Sequence, residues 1–431
     1  MCVSIIIPIH NSEKYLKECI ESALNQSFYE IELLCIDGGS TDDSFKIIDE
    51  MRKKDNRIKY IFDTNTSYGH KINVGVRSAK GKYIAILESD DMMGLTMIES
   101  LYNTAEESGA DVVDADFYEL FSYQGRKYRN MVKKYVAPET YNCLITCKDG
   151  NPQEEFKAIW TALYRKDFLV DCNIWLNESE GASYQDSSFV FLVNFLADTF
   201  YHLDIPLYQY RIDNGESSVK DDRKIFEIIK EYEFLKNNLI QRQIKDKEAW
   251  KSYYKSKYDS FYWNYRRLSQ NSRAIFLEKY LQELKQDSKD GLINREMFSG
   301  GMYNYTFRII DDSESFVNEV AERDKKPSLI KLLEDLARMA DRRLVVFGAG
   351  IWGTKVISIL VQSSYNLCAV CDNSKVLQGA VKCGYNIISV KEAVSLFPDA
   401  VYLIVNRKYG KDMKKQLLKE NIQEENVMIF G

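Results

Sequence analysis

Residues Val3 to Asp37, "VSIIIPIHNSEKYLKECIESALNQSFYEIELLCID", carry the pattern on which the fold turns. "VSIIIPI" is mostly apolar, of strand length, and reads as a buried strand, "EKYLKECIESALNQ" spaces its apolar residues as one helix face does, and "IELLCID" reads as a second buried strand. Two strands separated by a helix must lie parallel, because only a crossover can return the chain to the same end of the sheet. The cycle continues with a helix over 43–53, opened by Ser40 and Asp43 as a capping box, then the strand "IKYIF", a helix over Lys71 to Ala79 and the strand "KYIAILE". This alternation predicts an α/β fold with a mostly parallel sheet and helices on both faces. In such sheets ligands bind beyond the carboxyl ends of the strands.

After "MIESLYNTAEES", stopped by Gly109, and the strand "DVVDADFY", the alternation ceases. "YQGRKYRNMVKKY" reads as a basic hairpin, while "FKAIWTALYRKDFL" and "EGASYQDSSFVFLVNFLA" read as helices with aromatic faces. Asn214 and Gly215 signal a turn that closes the first domain, set at 1–215. Residues 216–340 are expected to be a mainly helical middle region, in which Tyr254, Tyr258, Phe261, Tyr262 and Tyr265 recur at helical spacing. Such a face suits packing within its own domain or against a second copy of the chain. "RDKKPSL" reads as a linker to a last domain, 341–431, which restarts the strand and helix cycle and is expected to be Rossmann-like.

The 431 residues carry a net charge of -6, without the broad basic character that grips nucleic acid. No run of 18 apolar residues occurs, and the N-terminus lacks the basic start and apolar core of a signal peptide, so a cytoplasmic location is expected. The nine scattered cysteines suit a reducing compartment better than a disulfide framework. Arg126, Lys127, Arg129, Lys133 and Lys134 form a basic stretch that reads either as a solvated hairpin or as a contact to anionic lipid, with peripheral attachment at the inner membrane face.

Two places carry chemistry. In "IAILESDD" an apolar strand runs into Glu88, Asp90 and Asp91, and three acids so close repel one another unless a cation sits among them. Mg²⁺ or Mn²⁺ meets that need, held by one or two carboxylates and completed by phosphate oxygens; a solvated turn before a helix is the other reading of the same residues. "CIDGGSTDDS" places Asp37 at the end of the preceding strand in the same way. In the last domain Gly348, Gly350 and Gly353 spell GxGxxG between a strand and a helix, and Asp372 closes the next strand. That spacing suits a nucleotide whose diphosphate meets the helix start and whose ribose meets Asp372, or a tight turn retained without a ligand.

Taken in order, "VSIIIPIHNSEKYLKECIESALNQSFYEIELLCIDGGSTDDS" and "AKGKYIAILESDD" resemble the family 2 inverting glycosyltransferases of GT-A fold over about the first half of the chain. The resemblance implies a nucleotide-diphospho-sugar donor. It places Pro8 and Asn11 beside the nucleoside, Asp37 on the base or ribose, Asp90 near the ribose and Asp91 on the metal. Glu88 and Asp90 occupy its DxD pattern, with glutamate first. Gly38 stands where many members have a second aspartate, so the favoured UDP-sugar competes with GDP and other nucleotides. Lys71 stands near where many place an arginine, and is expected to contact the diphosphate. Asp186 matches the catalytic base, and Trp160 a position flanking the acceptor.

The expected activity is metal-dependent transfer of a hexose to a saccharide or lipid-linked acceptor in cell-surface polysaccharide or lipopolysaccharide synthesis. Two other classes compete: an inactive nucleotide-sugar-binding or scaffold protein, and a nucleotidyltransferase that makes the sugar nucleotide. Against the latter, "PIHNSEKYL" lacks the glycine-rich basic loop that would hold a triphosphate.

Overall fold

All seven residues of β1 (Val3–Ile9) and all seven of β2 (Ile31–Asp37) are buried, as parallel strands covered on both faces must be. They pair parallel with Ile9 opposite Asp37, and β1 pairs parallel on its other side with β4 (Tyr83–Ile86). The chain is seen here in a computed structural model that describes residues 1–134, 140–146, 158–181, 183–214, 224–297, 303–323, 329–337, 341–363, 365–406 and 409–430. It forms two compact units, Met1–Glu119 with Val132–Asn318, and Leu120–Met131 with Glu319–Gly431.

In the first unit, β3 (Ile58–Phe62), β5 (Met92–Met93), β6 (Val112–Tyr123), β9 (Ala162–Arg165) and β10 (Thr199–Arg211) complete the sheet order β3-β2-β1-β4-β9-β6-β10-β5. Off this path, β7 (Arg126–Val132) pairs with β6 and β8 (Leu144–Thr146) with β10. The crossovers and flanking layers are α1 (Glu13–Leu24), α2 (Ser44–Arg52), α3 (Tyr68–Ser78), α4 (Met97–Ser108), α5 (Lys166–Asp171) and α6 (Gln185–Leu196). Since β1, β2 and β4 run parallel, Asp37 and the acids after Ile86 leave the sheet at one edge.

Two local expectations need correction, and one strand went unrecognised. The helix expected from "FKAIWTALYRKDFL" is instead β9 followed by the short α5, and 156–157 lie outside the described residues. Ala162, Leu163 and Tyr164 are inserted between β4 and β6, and this pairing outweighs local helix preference. The segment 199–211 is a thirteen-residue strand, although Pro206 and the polar residues around it mask the pattern. Ser40 does not cap α2: its hydroxyl accepts from Asn11 N, and Asp42 accepts from Ser44 N at 3.0 Å.

Helices α7 (Glu227–Gln241), α8 (Lys247–Arg267), α9 (Gln270–Lys289), α10 (Tyr303–Asp311) and α11 (Ser313–Arg323) follow, and residues up to Asn318 belong to the first unit. The aromatic stripe of α8 is core: Phe261 packs on Tyr232, Phe276 and Tyr280, and Tyr265 on Phe316. Lys257, 2% exposed, lies between these rings and Glu283, whose carboxylate is 2.9 Å away.

The second unit has a six-stranded sheet in the order β13-β14-β12-β11-β15-β16. Its elements are α12 (Leu329–Ala337), β11 (Arg343–Phe347), α13 (Ile351–Gln362), β12 (Asn366–Cys371), β13 (Val381–Lys382), β14 (Tyr385–Ile388), α14 (Val390–Leu396), β15 (Val401–Ile404), α15 (Gly410–Lys419) and β16 (Val427–Ile429). Gly348 has φ +112°, and a Cβ on Gly353 would lie 1.9 Å from Gly348 O, so the loop between β11 and α13 admits glycine alone at both. The two-residue turn of the β6–β7 hairpin, Gln124 and Gly125, has φ +49° and +75°, the geometry of a tight hairpin. Phe121 and Tyr128 from the hairpin pack with Leu333 and Ile359, and Gln362 exchanges hydrogen bonds with the Arg129 backbone.

The basic stretch is partly consumed by ion pairs. Lys134, 3% exposed, donates to Asp114 at 2.6 Å, and Lys133 bridges Asp116 and Asp204. His202 lies between Asp114 at 2.5 Å and Asp116 at 3.2 Å. Burial pushes the His202 imidazole down and Asp114 with Asp116 push it up; the balance lies above its ordinary value. Its protonated form therefore stabilises the fold fully below about pH 6.5, and that contribution fades as pH rises through the folded-state value. Asp114→Asn strands two buried cations and is expected to cost about 3–5 kcal/mol. A lower urea midpoint for the first unit's transition checks this; an unchanged midpoint contradicts it.

Candidate active site

The turn after β4 is built by hydrogen bonds rather than by charge balance. Asp91, 1% exposed, accepts from the Tyr208 hydroxyl at 2.9 Å and from Arg211 N at 2.7 Å. Its own N–H donates to Glu88 O, closing the turn. Asp90 accepts from Asn214 Nδ2 at 2.8 Å, and its carbonyl accepts from Arg211 Nε at 2.8 Å. Glu88 accepts from the Tyr68 hydroxyl at 2.5 Å, and its N–H donates to Tyr208. The Arg211 head turns away to Glu18 and the Tyr15 ring.

The electrostatics follow from this packing. Burial first, then the charges of Asp90 and Asp186, push Glu88 up to about 8, against the Tyr68 hydrogen bond and Lys71. Burial and the neighbouring Asp90 likewise raise Asp91. Burial raises Tyr210, and the charges of Asp91, Asp90, Glu88 and Asp186 add to it. Asp186 is the second residue of α6, and the N-cap position is held by Tyr184.

Lys71 is a buried cation of this edge. It is 3% exposed, its ammonium donates to Thr66 O at 3.0 Å, and burial pulls it down to about 8 while Glu88 and Asp37 hold it up. A Cβ on Gly38 would stand 3.0 Å from Lys71 Nζ, so the lysine occupies the space a side chain there would need. Asp37 accepts from Ser40 N at 2.9 Å and from the Tyr60 hydroxyl at 3.0 Å. Asn11, at φ +51°, ties the two loops together by accepting from Thr41 N. Pro8 lies within β1 rather than in the loop beyond it; β4 has already ended at Ile86, so the missing N–H breaks no ladder on that side. His70 is held between Asp63 and Glu178. Trp160, 6% exposed, stacks on Tyr208 at 4.4 Å and Tyr210 at 5.0 Å between ring centroids.

Among the described residues, no three His, Cys, Asp or Glu side chains form a complete metal cage. Glu88 and Asp90 each use one carboxylate oxygen in the hydrogen bonds above, and Lys71 and Arg211 are the buried cations that the described residues bring to this turn. Such a donor set fits a small hard cation that takes one or two carboxylates and draws its other ligands from elsewhere.

Residues 4–169 match the model described as "Glycosyl transferase family 2". An uncharacterized glycosyltransferase of Haemophilus influenzae is 32% identical over 204 residues, covering 44% of this chain and 78% of that protein. The chain belongs to glycosyl transferase family 2. Glycosyltransferase GlyG of Streptococcus pneumoniae is 39% identical over 127 residues, 29% of this chain and 42% of that protein. Poly(ribitol-phosphate) beta-glucosyltransferase of Bacillus spizizenii is 35% identical over 164 residues, 37% of this chain and 25% of that protein. This chain thus spans less than two thirds of several of the relatives it matches. Residues 340–428 match a second model, "C2185-like, N-terminal".

In this family 2 chain the anchors of the acidic turn were not apparent from sequence. Tyr208, Tyr210 and Arg211 approach from a strand more than a hundred residues away, and only the i, i+2 spacing of the tyrosines, on a strand recognised as one, would have flagged them. In the second unit, Asp372 accepts from Ala349 N at 2.7 Å and Ser374 N at 2.8 Å, so the carboxylate expected to meet a ribose holds the glycine loop. Lys382 donates to Ala349 O at 2.6 Å and to Thr354.

Removing the Tyr208 hydroxyl tests the anchoring of the turn. Tyr208→Phe leaves buried Asp91 one donor short, an expected loss of about 1–3 kcal/mol. A thermal melt equal to wild type would contradict it.

Proposed function

We propose that this chain is a divalent-metal-dependent, inverting glycosyltransferase. In this reading it moves a hexose from a nucleotide-sugar donor, a UDP-sugar being favoured, to a saccharide or lipid-linked acceptor in cell-surface polysaccharide synthesis. Membership of the family and the names of its relatives support glycosyl transfer. The observation that carries the reading is that Asp37, at the end of β2, and the turn of Glu88, Asp90 and Asp91 after β4 leave the sheet at one edge, the turn being anchored by Tyr208, Arg211 and Asn214.

Each residue has a role in this reading. Asp37 and Asn11 shape the nucleoside side, and the Lys71 ammonium faces the diphosphate. Glu88 and Asp90 present oxygens to Mn²⁺ or Mg²⁺, while Asp91 holds the turn and keeps further lone pairs toward the ion. When bound, the cation offsets the charge of the departing nucleoside diphosphate. Asp186 takes the proton of the acceptor hydroxyl as its oxygen bonds to the anomeric carbon and the bond from that carbon to the diphosphate breaks, which inverts the centre.

Asp186→Asn is expected to lower turnover at least a hundredfold while donor binding, followed by thermal shift with Mn²⁺, stays at the wild-type level. Wild-type turnover in that variant would refute the assignment of the base. The donor is found with a panel of UDP-, GDP- and other activated sugars, since at a hundredfold over its Kd a donor stabilises the protein by about 2.7 kcal/mol. An inactive scaffold would release no nucleoside diphosphate from any of them.

A further inference from the structure

Asp186 stands in the first turn of α6, and that turn is gripped from behind by the helical layer. Tyr184, just before the helix, has φ +67°, a left-handed conformation that a bulky side chain adopts only when its surroundings hold it there. Its hydroxyl lies 2.6 Å from Asn264 Oδ1 on α8 and accepts from Arg267 on the same helix. Arg267 Nε also donates to Asn264 Oδ1 at 3.0 Å, and Trp263 packs edge-on against the Tyr184 ring.

From α7, Glu231 reaches the same turn. It is 1% exposed, accepts from Ser188 N at 3.2 Å and from Asn177 Nδ2 at 3.0 Å, and so satisfies an amide that the start of a helix leaves open. Its carboxylate thus bonds the amide two residues after Asp186, and burial, with the Asp186 charge adding to it, pushes Glu231 up to about 7 against the hydrogen bonds from Ser188 and Asn177. A buried acid beside another acid is costly, and hydrophobic packing alone would not select it. On the other side, Gln185 staples the preceding loop through Ser179 and Gly181, and Gly181 O accepts from Tyr68 N, whose hydroxyl bonds Glu88. The Asp186 turn is therefore connected to the acidic turn through one side and to α7 and α8 through the other.

We propose that α7 and α8 are part of the catalytic apparatus, with Glu231, Tyr184 and Arg267 as positioning residues that set the place of Asp186. The inference rests on the reading of Asp186 as the base. A base displaced by about an ångström loses much of its effect while the donor pocket, built from β1, β2 and β4, is untouched.

The test is steady-state release of nucleoside diphosphate from the best donor of the activated-sugar panel, with Mn²⁺, water serving as acceptor, on the full chain. Tyr184→Phe and Glu231→Gln are each expected to lower kcat about tenfold with KM for the donor within about twofold of wild type. Wild-type kcat in both variants overturns the inference, as does a rise in KM that accounts for the whole loss. If Glu231→Gln fails to fold, Tyr184→Phe, which removes a single hydroxyl, decides alone. Asp186→Asn separates the two claims. If it turns over normally, the base assignment falls; if it is inactive while both positioning variants run at wild-type kcat, only the present inference falls.

Discussion

Repulsion among Glu88, Asp90, Asp91 and Asp186 is the constraint to which the rest of the first unit answers. Burial and neighbouring carboxylates raise Glu88 and Asp91, and the protein does not meet them with the buried cations Lys71 and Arg211 alone. It also supplies neutral donors at fixed distances: the hydroxyls of Tyr68 and Tyr208, the amide of Arg211 and the side chain of Asn214. These hold the acids in place. In the proposed reading a divalent cation among these acids adds positive charge, and its open ligand positions favour a diphosphate in turn.

How much of this is legible in sequence depends on how local the cause is. β1, β2 and β4 are apolar but for Ser4, Glu32 and the terminal Asp37, so their burial, their parallel pairing and the acids at their ends follow from the letters alone. β9 and β10 do not follow. Ala162 to Tyr164 become a strand because β4 and β6 flank them, and Tyr208 matters because Asp91 lies opposite. The Ser40 cap failed for a similar reason, since Asn11 from a neighbouring loop claims the hydroxyl. Lys71 shows the other direction: a lysine in the first turns of a helix, where water is in reach, is buried, and Gly38 leaves the room that it fills.

The helical layer changes meaning once the structure is considered. Its aromatic stripe is core, as helical spacing allows, but Glu231, Asn264 and Arg267 sit on the same helices and address the start of α6. In the second unit the glycine loop has its tight geometry, and Asp372 and Lys382 are engaged with that loop's own backbone. A motif can thus predict a turn correctly and leave open what the turn serves. No helix among the described residues is long and apolar enough to cross a membrane.

The central claim is that the acidic turn binds a diphosphate through a divalent cation, and calorimetric titration of UDP or GDP into the full chain with Mn²⁺ or with chelator tests it most directly. The account predicts binding with Mn²⁺ that is lost on chelation and weakened at least tenfold in the Glu88→Gln, Asp90→Asn double variant. Equal affinity with and without the metal, or an undiminished affinity in the double variant, would contradict it.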